Sequence, residues 1–138
     1  MENHNRANVD SLKNEVIQEY GVDPEIENLP PDARRWLVLI HEHLTSEDLT
    51  VSWLMEQTRS GDKTARRFRF ITGHYPKVYI TRLRVELACK LLECEEYDIT
   101  SAALATGFSD RSTLTKAFKK HYGMNLAEIF KKRDEGIR

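Results

Sequence analysis

The residues best suited to chemistry lie in ITSAALATGFSDRSTLTKAFKKHYG, residues 99–123. At helical spacing Leu114, Ala117, Phe118 and Tyr122 share one face of its second half, which leaves Arg111, Ser112, Thr115, Lys116 and Lys119 on the other. Guanidinium, ammonium and hydroxyl groups of this kind hydrogen-bond base edges and phosphate oxygens. An isolated amphipathic helix is more often a solvated surface, so the segment before it decides the reading. Ala103 is small enough for a close helix crossing, and Gly107 tolerates the positive φ of a tight turn. Phe108 can plug the core beneath that turn, and Ser109 or Asp110 can cap the helix that follows. Together these features predict a helix-turn-helix.

The same pattern occurs twice. ARRFRFITG and TKAFKKHYG each carry a basic residue two positions before a phenylalanine and a glycine five after it, and Phe68 and Phe118 are fifty residues apart. In the first copy the spacing turns Ala65, Phe68 and Ile71 inward and Asp62, Lys63, Arg66 and Phe70 outward, with Arg67 and Arg69 on the flanks. Arg66 then corresponds to Lys116. A unit used twice suggests two groove-reading helices in one chain.

Rival chemistries are weaker. His41-Glu42-His43 invites a metal, but two histidines two apart on a helix diverge, and no cysteine or acid spacing completes a zinc set. His41 or His43 is instead expected as a helix-surface residue near the C-terminal dipole. No glycine-rich phosphate loop or nucleophile motif occurs, so neither catalysis nor a cofactor or metal is expected. Cys89 and Cys94 read as free thiols of a reducing compartment.

The elements that must hold these residues are all helical, since no run alternates like a half-buried strand. Val9, Leu12, Val16, Ile17 and Tyr20 predict an N-terminal amphipathic helix stopped by Gly21, and VDPEIENLPP an extended linker. Further helices are expected from Asp32, acting as a cap, through Leu44, over 49–58, and over 61–72 with Ser60 as cap and Gly73 as stop. A long one spans 75–93 with Pro76 in its first turn, and a last one begins after Asn125 and runs to Arg133.

The net charge of −1 for 138 residues conceals a division. Residues 1–60 carry 5 Lys/Arg against 12 Asp/Glu, and residues 61–138 carry 16 against 10. The basic half can attract a polyanion that the total would not suggest. No apolar run is long enough to span a bilayer and the N-terminus lacks the build of a secretion signal, so a cytoplasmic protein without membrane contact is expected.

Over about residues 32–132, through IHEHLTSEDLT, FITGHYPKVYITRLRVELACKLL and above all ITSAALATGFSDRSTLTKAFKKHYG, the chain resembles the AraC/XylS-type bacterial transcriptional regulators. The resemblance implies an all-α fold of two helix-turn-helix subdomains joined by a long central helix. Here that means a first unit over 31–73, a linking helix over 75–93 and a second unit over 97–133, within a DNA-binding domain over 31–138 preceded by the N-terminal helix and linker over 1–30. It implies sequence-specific binding to double-stranded promoter DNA by recognition helices at about 61–71 and 110–122. Asp62, Ala65, Arg66, Arg111, Ser112 and Lys116 take base-facing positions, Lys63 and Thr115 are further base-facing candidates, and Arg69, Lys119 and Lys120 suit phosphates.

The sequence departs from the family pattern in the first unit. Leu54 stands at the small crossing position, Thr58 where the turn often has glycine, and Phe70 where a polar residue is usual. Thr64 and Arg67 stand where apolar packing is expected and should weaken that core; Asn125-Leu126 replaces a proline-containing pair. About 30 residues before the first unit cannot form the effector domain of larger members, so a stand-alone or truncated form, monomeric or weakly dimeric, is expected. Its N-terminal segment would pack on the domain or meet RNA polymerase or a regulatory protein. The competing reading is a protein-interaction module in which the divergent first unit no longer binds DNA.

Overall fold

Two prolines open helices at positions where no backbone donor is missed, Pro31 for one and Pro76 for the longest shared element. The computed structural model describes residues 4–130, with side chains from Val9 onward. Its helices are α1 (His4–Tyr20), α2 (Pro31–Glu42), α3 (Val51–Thr58), α4 (Asp62–Thr72), α5 (Pro76–Leu92), α6 (Ile99–Ala105), α7 (Arg111–Tyr122) and α8 (Leu126–Ile129), and no strand occurs among the described residues. The last helix stops at Ile129, with Phe130 as its C-cap, and so does not run on as expected; residues 131–133 of that expectation lie outside the described ones.

Two apolar clusters form around α5. Tyr79, Ile80, Leu83 and Leu87 join Val16, Trp36, Leu37, Ile40, Leu54 and Phe68 in the first. Val85, Ala88, Leu91 and Leu92 join Ile99, Ala102, Ala103, Phe108, Leu114, Phe118 and Leu126 in the second. One helix thus supplies different faces to two cores, which is why its sequence shows little amphipathic contrast. Helix α1 lies along α5. Val16 is fully buried in the first cluster, Val9 packs on the second, and Leu12 touches both. Lys90 on α5 reaches Glu19 at 3.3 Å and Glu15 at 3.8 Å. Packing on the domain is therefore what covers the apolar face of the N-terminal helix.

Local expectations are corrected in several places. The 22–31 segment is not extended but turned: the Glu25 N–H donates to the Asp23 carboxylate, Asn28 has φ 69°, and Arg34 holds the Pro24 and Ile26 carbonyls. Asp32 is not the cap of α2, because Pro30 precedes Pro31 there. Its carboxylate instead accepts from Thr64 Oγ1 at 2.6 Å and Arg67 Nη1 at 2.7 Å. Burial alone would raise that carboxyl, but the Thr64 and Ala33 hydrogen bonds and the Arg67 charge hold it below its ordinary range. Thr64 and Arg67 therefore do not leave a hole in the first core; they clasp α4 to α2.

Nor does Ser60 cap α4, whose N-cap is Gly61; its Oγ lies 2.6 Å from Thr58 Oγ1. Thr58 accepts from Trp36 Nε1 at 2.9 Å and donates to the Leu54 carbonyl, so it anchors the end of α3. The left-handed residue of that turn is Arg59, with φ 53°.

His41 is not on the surface. Its Nε2 lies 2.7 Å from Tyr79 Oη, which also accepts the Val22 N–H. Burial, helped by the charge of Lys13, lowers its pKa from 6.5 to about 4, so the imidazole is neutral and accepts from Tyr79. Because the folded pKa is depressed, this stability is complete above about pH 6.5 and is lost as the pH falls towards 4. Between pH 7 and pH 5 His41 should remove roughly 2 kcal/mol of unfolding free energy. Urea midpoints of the parent and His41→Gln at the two pH values check this: the variant should lack most of the drop, and parallel drops would contradict it.

Candidate nucleic-acid interface

The second unit is shaped by capping and by a positive-φ glycine at its turn. Asp98 and Ser101 form a capping box at the start of α6, and Asp110 caps α7 by accepting the Thr113 N–H at 2.8 Å. Thr113 Oγ1 and then its N–H keep the Asp110 carboxyl below its ordinary range. Between the helices Gly107 has φ 100°, Ala103 is fully buried at the crossing, and Phe108 closes the core. The chain emerges from this turn with Arg111 as the first residue of α7.

Leu114 and Phe118 face the core, so Ser112, Lys116, Lys119 and Lys120 stand exposed on the side away from it, and Arg111 is exposed at the end. Thr115 departs from expectation: it is half-buried, and its hydroxyl donates back to the Arg111 carbonyl at 2.9 Å. Thr113, which the sequence reading passed over, is exposed in that turn, but its hydroxyl donates to the Asp110 carboxylate at 2.7 Å as part of the cap. Tyr122 is not fully on the buried face; its hydroxyl donates to Glu86 of α5. Glu86 also meets His121 Nε2 at 3.1 Å, and Arg82 Nη1 lies 3.2 Å from His121 Nδ1. These contacts fasten the last turn of α7 to α5.

In the first unit Thr64 and Phe68 are buried, and Asp62, Lys63, Arg66, Arg69 and Phe70 are exposed. Ala65 is half-buried and packs against the first core, so its inward reading describes it better than its base-facing one. Arg69 lies over the Tyr75 ring, 5.0 Å from its centroid.

Two cations were missed. Lys77 and Arg82 of α5 line one groove with Lys116 and Lys120 of α7. Their sequence distance of about forty residues gave no sign of this, since only the packing of α7 on α5 unites them. A second groove runs between Thr50 to Ser52 of the first unit and Gly107 to Ser109 of the second, with Arg84 in its wall. Arg84 donates to the Leu44 carbonyl from Nε at 2.8 Å and to the Ser46 carbonyl from Nη2 at 2.6 Å. Burial lowers its pKa to about 10, which leaves it charged at neutral pH. It fixes the α2–α3 loop to the long helix directly beside the turn of the second unit.

Burial pushes the Cys89 thiol up to about 12, which makes it an inert residue beside Glu86. Cys94 lies beyond the end of α5, and no disulfide joins the two. No helix among the described residues is long and apolar enough to cross a membrane.

Residues 58–132, more than half of the chain, match the model of a helix-turn-helix domain family of AraC type. A Streptomyces antibioticus protein named as an AraC-like transcription regulator is 28% identical over 118 residues, 77% of this chain and 39% of that protein. The HTH-type transcriptional activator RhaS of Escherichia coli strain SE11 is 26% identical over 122 residues, 86% of this chain and 43% of its own. The chain thus spans about two fifths of the length of these curated relatives. Among solved structures, the C-terminal domain of AraT, a response regulator from Geobacillus stearothermophilus, is 25% identical, with a TM-score of 0.69 over 77% of this chain and 88% of that one.

Proposed function

The chain belongs to the AraC-type helix-turn-helix family of transcription regulators, and from that premise we propose that it binds double-stranded promoter DNA sequence-specifically with α4 and α7 in successive major grooves. The observation that carries the proposal is the pairing, on α7, of a buried Leu114 and Phe118 with an exposed Ser112, Lys116 and Lys119, behind a capped start and a Gly107 turn. Such a helix can enter the major groove with its N-terminal turns towards base edges.

Helix α5 has 17 residues and is about 26 Å long. With a unit attached at each end, it supports placement of two reading helices near the roughly 34 Å repeat of B-DNA. In this reading Asp62, Arg66, Arg111, Ser112 and Lys116 approach bases, with Lys63 beside them, and Arg69, Lys119 and Lys120 meet phosphates. Thr115, half-buried with its hydroxyl turned to the Arg111 carbonyl, leaves the base-facing set, and Lys77 and Arg82 join the phosphate set. The DNA-binding domain spans 31–138 in this reading, with α1 packed on it through Val9, Leu12 and Val16, and acts in the cytoplasm.

Selection of bound duplexes from a random library, followed by two substitutions, tests the reading. Lys116→Ala should cost about 1 to 3 kcal/mol on the selected site and relax the preference at one position, whereas Lys119→Ala should weaken all sequences alike. Indistinguishable effects of the two on selected and random DNA would overturn the assignment of base and phosphate roles.

A further inference from the structure

Phe70 is 90% exposed, the highest value among the large apolar residues described. A single exposed apolar side chain is ordinary on a protein surface. Its position is not. With Thr64 and Phe68 defining the buried side of α4, the opposite direction falls on Arg66, and Phe70 stands one turn further along, about 40° to its side. Phe70 makes no contact with another aromatic ring among the described residues; the neighbouring Tyr75 is engaged instead by Arg69. The ring therefore stands bare on a face whose other members are Asp62, Lys63, Arg66 and Arg69, a face cationic on balance that fits a polyanion and not an apolar protein surface.

We propose that Phe70 is a specificity-determining residue that packs on the 5-methyl group of a thymine in the major groove, about two base pairs from the pair addressed by Arg66. The inference rests on the DNA-binding reading above. A phenyl ring neither donates nor accepts a hydrogen bond, and the thymine methyl is the apolar group that the major-groove edge of unmodified DNA offers. Four residues of helix advance about 6 Å, and base pairs stack about 3.4 Å apart, which sets the spacing.

The test uses the full chain and Phe70→Ala, a change at a site too exposed to disturb the core. Library selection with the parent should enrich thymine at one position about two base pairs from the one whose preference Arg66→Ala relaxes. Replacing that thymine by deoxyuridine should weaken parent binding about fourfold, the equivalent of one methyl group left in water, and should leave Phe70→Ala unaffected. Replacing a cytosine at that position by 5-methylcytosine should restore part of the loss in the parent alone. Equal losses with deoxyuridine in both proteins would overturn the inference, as would a Phe70→Ala that lowers affinity for random and selected DNA alike. If the parent binds no duplex at low salt, the functional reading fails and this inference with it. If the parent binds and Phe70→Ala behaves identically on every duplex, only this inference fails.

Discussion

Gly107→Ala should lower the unfolding free energy by about 3 to 4 kcal/mol, several times the cost of Gly123→Ala, at about 1 kcal/mol. Both glycines adopt left-handed backbone, at φ 100° and 73°, so both substitutions carry the conformational cost of an L-residue there. They differ in what a methyl group would meet. At Gly123 nothing lies within 4 Å, whereas at Gly107 a Cβ would sit 2.7 Å from Arg84 Nε and 2.9 Å from its Cζ. An arginine can usually swing aside, but this one holds two backbone carbonyls of the first unit, at Leu44 and Ser46. Displacing it breaks charge-assisted hydrogen bonds in a half-buried place, where each contributes on the order of 1.5 kcal/mol or more. Urea denaturation at pH 7 compares the two directly. Equal losses would show that Arg84 yields freely and that the close approach carries no energy. The same substitution should weaken binding to a two-groove site more than to an isolated half-site, because Arg84 links the loop of one unit to the turn of the other.

Affinity for duplex DNA should fall about 500-fold between 50 and 200 mM monovalent salt. Neutralising about five phosphates releases their counterions, and the logarithm of the binding constant then falls with that of salt at a slope near −4.5. The cations for this role are exposed on α4 and α7, with Lys77 and Arg82 alongside from α5. A slope shallower than about −2 on random duplex would place the basic face out of reach of the backbone. Absence of binding at low salt would favour the competing reading, a helix-turn-helix turned to a protein partner. Lys119→Ala should make the slope less steep by about 1 without altering sequence preference, which ties the slope to a particular contact.

The second helix-turn-helix was legible because its determinants are local. Gly107, Ala103, Phe108 and Asp110 each act within a few residues of where they stand, through backbone geometry or a cap, and all four take the positions their types suggested. The first unit was less legible because it is held by contacts across the chain. Thr64 and Arg67 looked like defects until Asp32, more than thirty residues earlier, supplied their partner. Thr58 looked like a missing glycine until Trp36 was found donating to it. His41 looked solvent-facing because helix periodicity says nothing about Tyr79, 38 residues on.

By itself, then, the sequence determined an all-helical chain, the second helix-turn-helix with its cationic outer face, and the fifty-residue repeat that marks the first. These follow from apolar spacing, capping chemistry and the φ freedom of glycine, which are short-range and readable in a row of residues. Only the tertiary structure decided that α1 braces both clusters through Leu12, that Arg84 joins the two units beside Gly107, and that Lys77 and Arg82 extend the cationic groove. Each of these depends on helices meeting at a particular register, and register is set by how whole side-chain surfaces interlock.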